Sequence, residues 1–314
     1  MQQVVYLRKL RDFGEKISDS FLFLKQNWKK LFGLYAVFVV PFFIVAIVMG
    51  IFFAGHVYAN LLSSAESFRP ADLLTGEFYI IILCLLLASS SYNTAVYSYF
   101  RVYDGQNGIK PTLQQVGQVF IAKFFKVFLY NFVITILLVL VAIIPFIIVM
   151  FIPIVNIFAI LFFILLFIVI IFYLNCIYVT EDMGLSGGIS RLFYILSSRW
   201  WNTIWFMVVI FLIYSVFSFA VQLGMSLIKN IFFDSVFSPV RNRVAGAGPG
   251  AINIGVLLYG LLFIVQQMFY MIVFCSVGIN YYSLAEEKDG SAIEAQIDSI
   301  GGTTDKYDGV EEQY

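Results

Sequence analysis

Residues able to do acid–base or nucleophilic work are few in this chain, and they are scattered. Hydrolysis or group transfer needs a nucleophile with a base, or a metal cage, and the sequence holds a single histidine, His56. Glu66, Asp72 and Glu77 follow within about twenty residues and could meet His56 in space, but their spacing encodes no metal site. Cys84, Cys176 and Cys275 fall in apolar runs without metal-like spacing and read as small buried hydrophobes. The stretch Ala245-Gly246-Ala247-Gly248-Pro249-Gly250 lacks the Lys and Ser or Thr that complete a phosphate loop, so it reads as a connector. No enzyme, metal or cofactor is expected from these residues. Nucleic acid is not expected as a partner either, because no folded basic domain stands apart from the apolar runs.

What remains is a set of uncharged polar side chains inside apolar runs. Ser89-Ser90-Ser91-Tyr92-Asn93, Asn131, Asn175, Gln222, Gln266-Gln267 and Asn280 are placed this way, and no Asp, Glu, Lys or Arg accompanies them. Charge inside a span is the usual mark of proton or ion coupling, so carboxylate-coupled transport is not expected. An amide in lipid must find a partner, and helix-to-helix glue is its default role. Asn93, Asn175, Gln266, Gln267 and Asn280 are the candidates for lining an intramembrane cavity. Gln266 and Gln267 stand out because adjacent helical positions cannot both face one neighbour.

The elements that carry these residues follow from composition. Hydrophobic residues make up 61% of 314 positions and charged residues 12%, where soluble domains run near half apolar and a quarter charged. Charge-free windows run from Leu31 to Ala65, Phe78 to Phe100, Val127 to Thr180, Trp200 to Ile228, and Val244 to Ala285. About twenty residues cross a bilayer as a helix, so the third window holds two helices, and the spacing predicts an all-α polytopic membrane protein of six transmembrane helices. The spans are expected near 32–55, 78–100, 127–148, 155–178, 202–226 and 252–283. Pro145, Pro153 and Asn156 mark the hairpin inside the double window, and Pro41 should kink the first span. Fifteen of the nineteen Lys and Arg residues fall in segments 1–30, 101–126, 181–199 and 285–314, which the positive-inside bias assigns to the cytoplasm together with both termini.

An amphipathic stretch precedes each odd-numbered span. Leu7, Leu10, Phe13, Ile17, Phe21, Leu24 and Trp28 make the first stripe, with Lys and Arg elsewhere, as for a cytoplasmic interfacial helix over residues 1–30. Such a helix anchors to the leaflet or docks a partner. Comparable stripes occur at Leu113, Val116, Val119, Phe120 and Phe124, and at Ile189, Leu192, Phe193, Leu196 and Trp200. Even-numbered spans end alike in tyrosine, acid and glycine: Tyr97 to Asp104-Gly105, Tyr178 to Asp182 and Gly184, Tyr282 to Asp289-Gly290. The chain thus reads as a possible threefold repeat of interfacial helix, outward span and return span, followed by an acidic, disordered cytoplasmic tail over residues 286–314.

Phe21-Leu22-Phe23-Leu24-Lys25-Gln26-Asn27-Trp28 before a proline-bearing span, with Asn280-Tyr281-Tyr282-Ser283-Leu284 to Gly290 closing the last, resembles bacterial six-span proteins related to the membrane domain of glycerophosphodiester phosphodiesterases. The resemblance implies architecture; the soluble domain that hydrolyses the diester is absent from this sequence. The expected role is a non-enzymatic inner-membrane scaffold or accessory subunit, with the lipid bilayer and proteins at the cytoplasmic face as partners. The alternative is a carrier for a lipid-like or neutral amphiphilic solute, with a cavity between the first and sixth spans.

Overall fold

A computed structural model describes residues 4–63, 74–149, 153–228 and 250–290, and all of its regular structure is helical. In chain order the helices are α1 Phe13–Phe38, α2 Val40–Ser63, α3 Gly76–Gly105, α4 Leu113–Val149, α5 Pro153–Thr180, α6 Leu185–Leu196, α7 Trp200–Ile228, α8 Gly250–Met268 and α9 Met271–Asp289. Five stretches of the described chain are long and apolar enough to cross a bilayer. The pair α1–α2, bent by 44°, makes a sixth. The chain is a polytopic all-α membrane protein.

Three units follow one another. Each runs out on a peripheral helix (α2, α4, α7) and returns on a helix that ends in the middle of the molecule (α3, α5, α8–α9). Return helices are buried on every side along their last turns: Ser90–Phe100, Tyr173–Val179 and Met271–Glu286 are all buried. Outgoing helices keep one broad apolar face open, as Val139, Leu140 and Val141 on α4 and Leu212, Val216 and Phe219 on α7 show. That division suits lipid on the outside and helix on the inside.

Because lipid is as apolar as leucine, burial alone does not hold these helices together, and close fit matters more. A Cβ at Gly278 would come within 2.7 Å of the Phe100 ring, so glycine lets α9 lie against α3. Gly260 does the same for α8 against Ile47 of α2, and Gly188 for α6 against Tyr178. Rings fill the rest: Phe23 stacks on Phe100 at 4.5 Å and meets Tyr103 edge-on at 5.2 Å, and Tyr92 touches Tyr35 at 5.0 Å and Phe274 at 4.6 Å. Each such pair contributes about 0.5–1.5 kcal/mol beyond its area.

Several boundaries differ from the sequence expectation. The first amphipathic helix does not cover 1–30: Asp12 caps it, accepting from Glu15 N at 2.7 Å while Glu15 accepts from Asp12 N at 3.3 Å, and residues 4–12 run beforehand as an extended strap. The buried face of α1 is accordingly Ser20, Phe23, Asn27, Leu31, Leu34 and Tyr35, while Phe13 and Trp28 of the expected stripe are exposed. The second stripe fares better, with Val116 and Phe120 buried and Val119, Phe124 half-buried, but it belongs to the same continuous helix as its span. In the third, α6 is a separate short helix whose buried residues are Gly188, Leu192, Ile195 and Leu196, with Phe193 turned out.

Pro145 does not end its helix, since α4 continues to Val149, whereas Pro153 opens α5, where a missing N–H costs nothing. The sixth span is not one helix but two, parted at Phe269–Tyr270. Of the three glycines expected as helix stops, only Gly290 takes the left-handed conformation (φ 65°), donating to Glu286 O at 2.9 Å. After α3 that role passes to Asn107 and Gly108, and after α5 to Asp182, with φ of 51°, 87° and 60°. The acidic tail does not begin at 286, because α9 runs on to Asp289; residues 291–314, like Glu66, Asp72 and 229–249, lie outside the described residues.

Candidate functional site

The expected polar residues do not converge on a single point. Gln266 donates to Ser218 Oγ at 2.7 Å and so ties α8 to α7. Gln267 is half-buried beside the break, where its carbonyl accepts from Tyr270 N at 3.0 Å. Asn280 bonds the Tyr173 hydroxyl, joining α9 to α5. Asn93 returns its amide to Ser89 O at 2.9 Å within α3. Asn175, 1% exposed, has neither amide atom bonded. Asn131 reaches Ser90 Oγ at 3.3 Å, and Gln222 is exposed. The joint lining by Asn93, Asn175, Gln266 and Asn280 that a central cavity would need is therefore not formed: Gln266 sits on the α7 side, apart from the others.

Two features were not expected from the sequence. First, both discontinuous spans are held by hydroxyls from neighbouring helices. At the α1–α2 bend Ser91 Oγ donates to Phe38 O at 2.5 Å; at the α8–α9 break Tyr35 donates to Ile264 O at 2.6 Å and Tyr92 to Met268 O at 3.1 Å. Carbonyls freed inside hydrocarbon must be satisfied by protein, and the tyrosines do this. Since α2 packs along α8, with Phe43 meeting Phe263 edge-on at 5.5 Å, the two discontinuous spans lie side by side.

Second, the face that bears the chain's basic segments is tied together by charge. The Arg191 guanidinium of α6 donates to both Glu181 oxygens, at 3.0 and 2.9 Å, and to the Asp289 carboxylate at the end of α9; its hydrogen bonds to Asp289 and the charge of Glu181 raise its pKa further. Tyr281 adds its hydroxyl to Glu181. Arg199 pairs with Glu287 at 2.6 Å. Lys123 of α4 pairs with Asp182 beyond α5, and this hydrogen bond holds the Asp182 carboxyl below the usual carboxylate range.

The strap over residues 4–12 closes the same face. Arg11, its side chain fully buried, pairs with Asp19 at 2.7 Å, donates to Leu7 O and Tyr6 O, and donates its own backbone N–H to Ser283 Oγ. Arg8 reaches Asp104 at 3.1 Å over the Tyr282 ring, and Tyr103 donates to Val5 O at 3.1 Å. A sequence signal for the strap existed in the capping pair Asp12 and Glu15, which fixes where the helix starts.

On the opposite face His56 Nδ1 lies 3.1 Å from Glu77 Oε1, the one member of the expected acidic trio among the described residues. No group of three metal-binding side chains gathers among the described residues. No family model, curated protein or solved structure matches this chain.

Proposed function

We propose that the chain is a non-enzymatic scaffold or accessory subunit of a bacterial inner membrane, with its basic face and both termini in the cytoplasm. The charge lattice supports this reading. Arg8–Asp104 and Arg199–Glu287 each tie down the end of a return helix within its own unit, and Arg191, with Glu181 and Asp289, joins the second unit to the third. A protein that opened toward this face would have to part these pairs in every cycle; a docking subunit benefits from keeping them. Around the lattice Trp28, with Lys29 over its ring, Lys30, Phe193 and Tyr194 stand exposed, suited to an anionic leaflet and to protein partners at its edge. Membership of the six-span group related to the glycerophosphodiester phosphodiesterase membrane domain is part of this proposal and agrees with the architecture.

A second reading, a carrier for a lipid-like or neutral amphiphilic solute, has one observation of its own. The bent span α1–α2 lies beside α8, which is parted from α9 by the turn at Phe269–Tyr270, and interrupted helices mark the binding sites of many transporters. Purification from native membranes in mild detergent separates the two. The scaffold reading expects a stoichiometric companion protein that is lost when Lys29→Glu and Lys30→Glu are combined in a chain of unchanged melting temperature. A companion-free chain that moves labelled phospholipid between the leaflets of proteoliposomes would contradict it and favour the carrier.

A further inference from the structure

The three return helices meet along a seam that holds more hydrogen-bonding capacity than the protein uses. Asn93 Oδ1, Tyr97 Oη and Ser98 Oγ on α3, both amide atoms of Asn175 on α5, and Ser276 Oγ and Asn280 Oδ1 on α9 are buried and have no partner among the described residues. Their positions relate them. Asn93 and Tyr97 are four residues apart on α3, and Ser276 and Asn280 are four apart on α9, so each pair shares a helix face. Asn280 is bonded to Tyr173 of α5, and the Tyr97 ring lies 6.0 Å from Phe274 of α9. Arg101 of α3 donates to Val179 O of α5 at 2.9 Å. One turn farther in stand Ser98 and Asn175, with α3 and α5 running parallel. The column from Arg101 to Asn93 is about 12 Å long.

We propose that this seam is a hydration site: ordered water bound between α3, α5 and α9. Asn175 offers a donor and an acceptor together, the hydroxyls can do either, and no charged side chain lies deeper in the seam than Arg101. The chemistry suits a small uncharged molecule that both gives and takes hydrogen bonds, and water is bound where two to four polar groups converge in a protein interior. The contrast with Asn27 is direct. Asn27 is as buried as Asn175, 1% exposed, yet its amide donates to Phe23 O at 2.9 Å and its oxygen accepts from Tyr99 at 2.7 Å, so it is satisfied by protein alone. Water in the seam would satisfy these polar groups beside the close contact that Gly278 and Phe100 make between α9 and α3.

Water-edited solid-state NMR of the full chain in lipid bilayers, with asparagine side chains labelled, tests this. Polarisation from water is expected to reach the Asn175 and Asn280 amides several-fold faster than Asn27. Equal, slow transfer at all three would overturn the proposal. Asn175→Leu, which also assigns its resonance, gives a second readout: removing a water-bonded group is expected to lower the melting temperature. A higher melting temperature would mean that the amide is dry in the native protein, and would overturn the proposal as well.

Discussion

Arg191 satisfies two carboxylates at once, and the fork geometry that allows this belongs to arginine alone. Arg191→Ala leaves Glu181 and Asp289 half-covered and without their cation, with side chains 19% and 30% exposed. Solvent screens such a site in part, so the expected loss is about 2 kcal/mol rather than the ~3–5 of a fully buried pair. Arg191→Lys should recover less than half of it, since an ammonium cannot serve both partners; thermal unfolding in detergent reads both. The Lys123–Asp182 pair predicts a pH effect. A carboxyl whose folded pKa is depressed adds stability above its unfolded pKa, near 3.9, and loses it as pH falls through the folded value. Asp182→Asn keeps a residue that tolerates φ of 60°, so the difference in melting temperature between it and the native chain, worth less than about 1 kcal/mol at pH 6, should shrink toward zero as pH falls through the depressed folded pKa. Residue types foretold little of this. Asp182 was expected only as part of the acidic ending of a span and Arg191 lies within the third amphipathic stretch; which partner each meets depends on how the helices pack.

Helices were legible where apolar runs were uninterrupted, and breaks only where proline announced them. Pro41 lies two residues beyond the break at Val39, and its missing N–H explains why the helix bends there. Nothing comparable marks Phe269–Tyr270. That break depends on Tyr35 and Tyr92, which come from α1 and α3 and supply donors to carbonyls of α8. A signal that resides in two other helices cannot be read along the broken one. Tyr35→Phe and Tyr92→Phe should each cost about 1 kcal/mol by unfolding in detergent, while leaving the ring contacts at 5.0 and 4.6 Å intact. Unchanged melting temperatures in both variants would show that the carbonyls do not need these hydroxyls. The first stripe was misread for a related reason. Leu7 and Leu10 match a helical period, but the N-cap at Asp12 starts the helix only after them, and Leu7 is buried from the strap instead.

At the scale of the molecule, span number and fold class followed from the cost of placing ions in hydrocarbon, and the threefold order of helices agreed with the recurring tyrosine, acid and glycine endings. The interior arrangement did not follow. Which faces meet at the return-helix junction is set by Gly278 and a network of rings, and single glycines in apolar runs carry no label of what approaches them. The seven-atom polar surplus was invisible for the same reason: Asn27 and Asn175 look alike in sequence and differ only in what surrounds them.

The account rests on a bundle whose basic face, with the strap and the end of α9, lies on one side of the membrane, and on the proposal, drawn from the bias in lysine and arginine, that this side is the cytoplasm. Single cysteines at exposed positions of the two faces test it with an impermeant maleimide: Leu74→Cys beside α3's start, and Gln114→Cys in the first turn of α4. Leu74→Cys is expected to react in intact spheroplasts, and Gln114→Cys only after the membrane is opened. Reaction of Gln114→Cys in intact spheroplasts, with Leu74→Cys protected, would contradict the account.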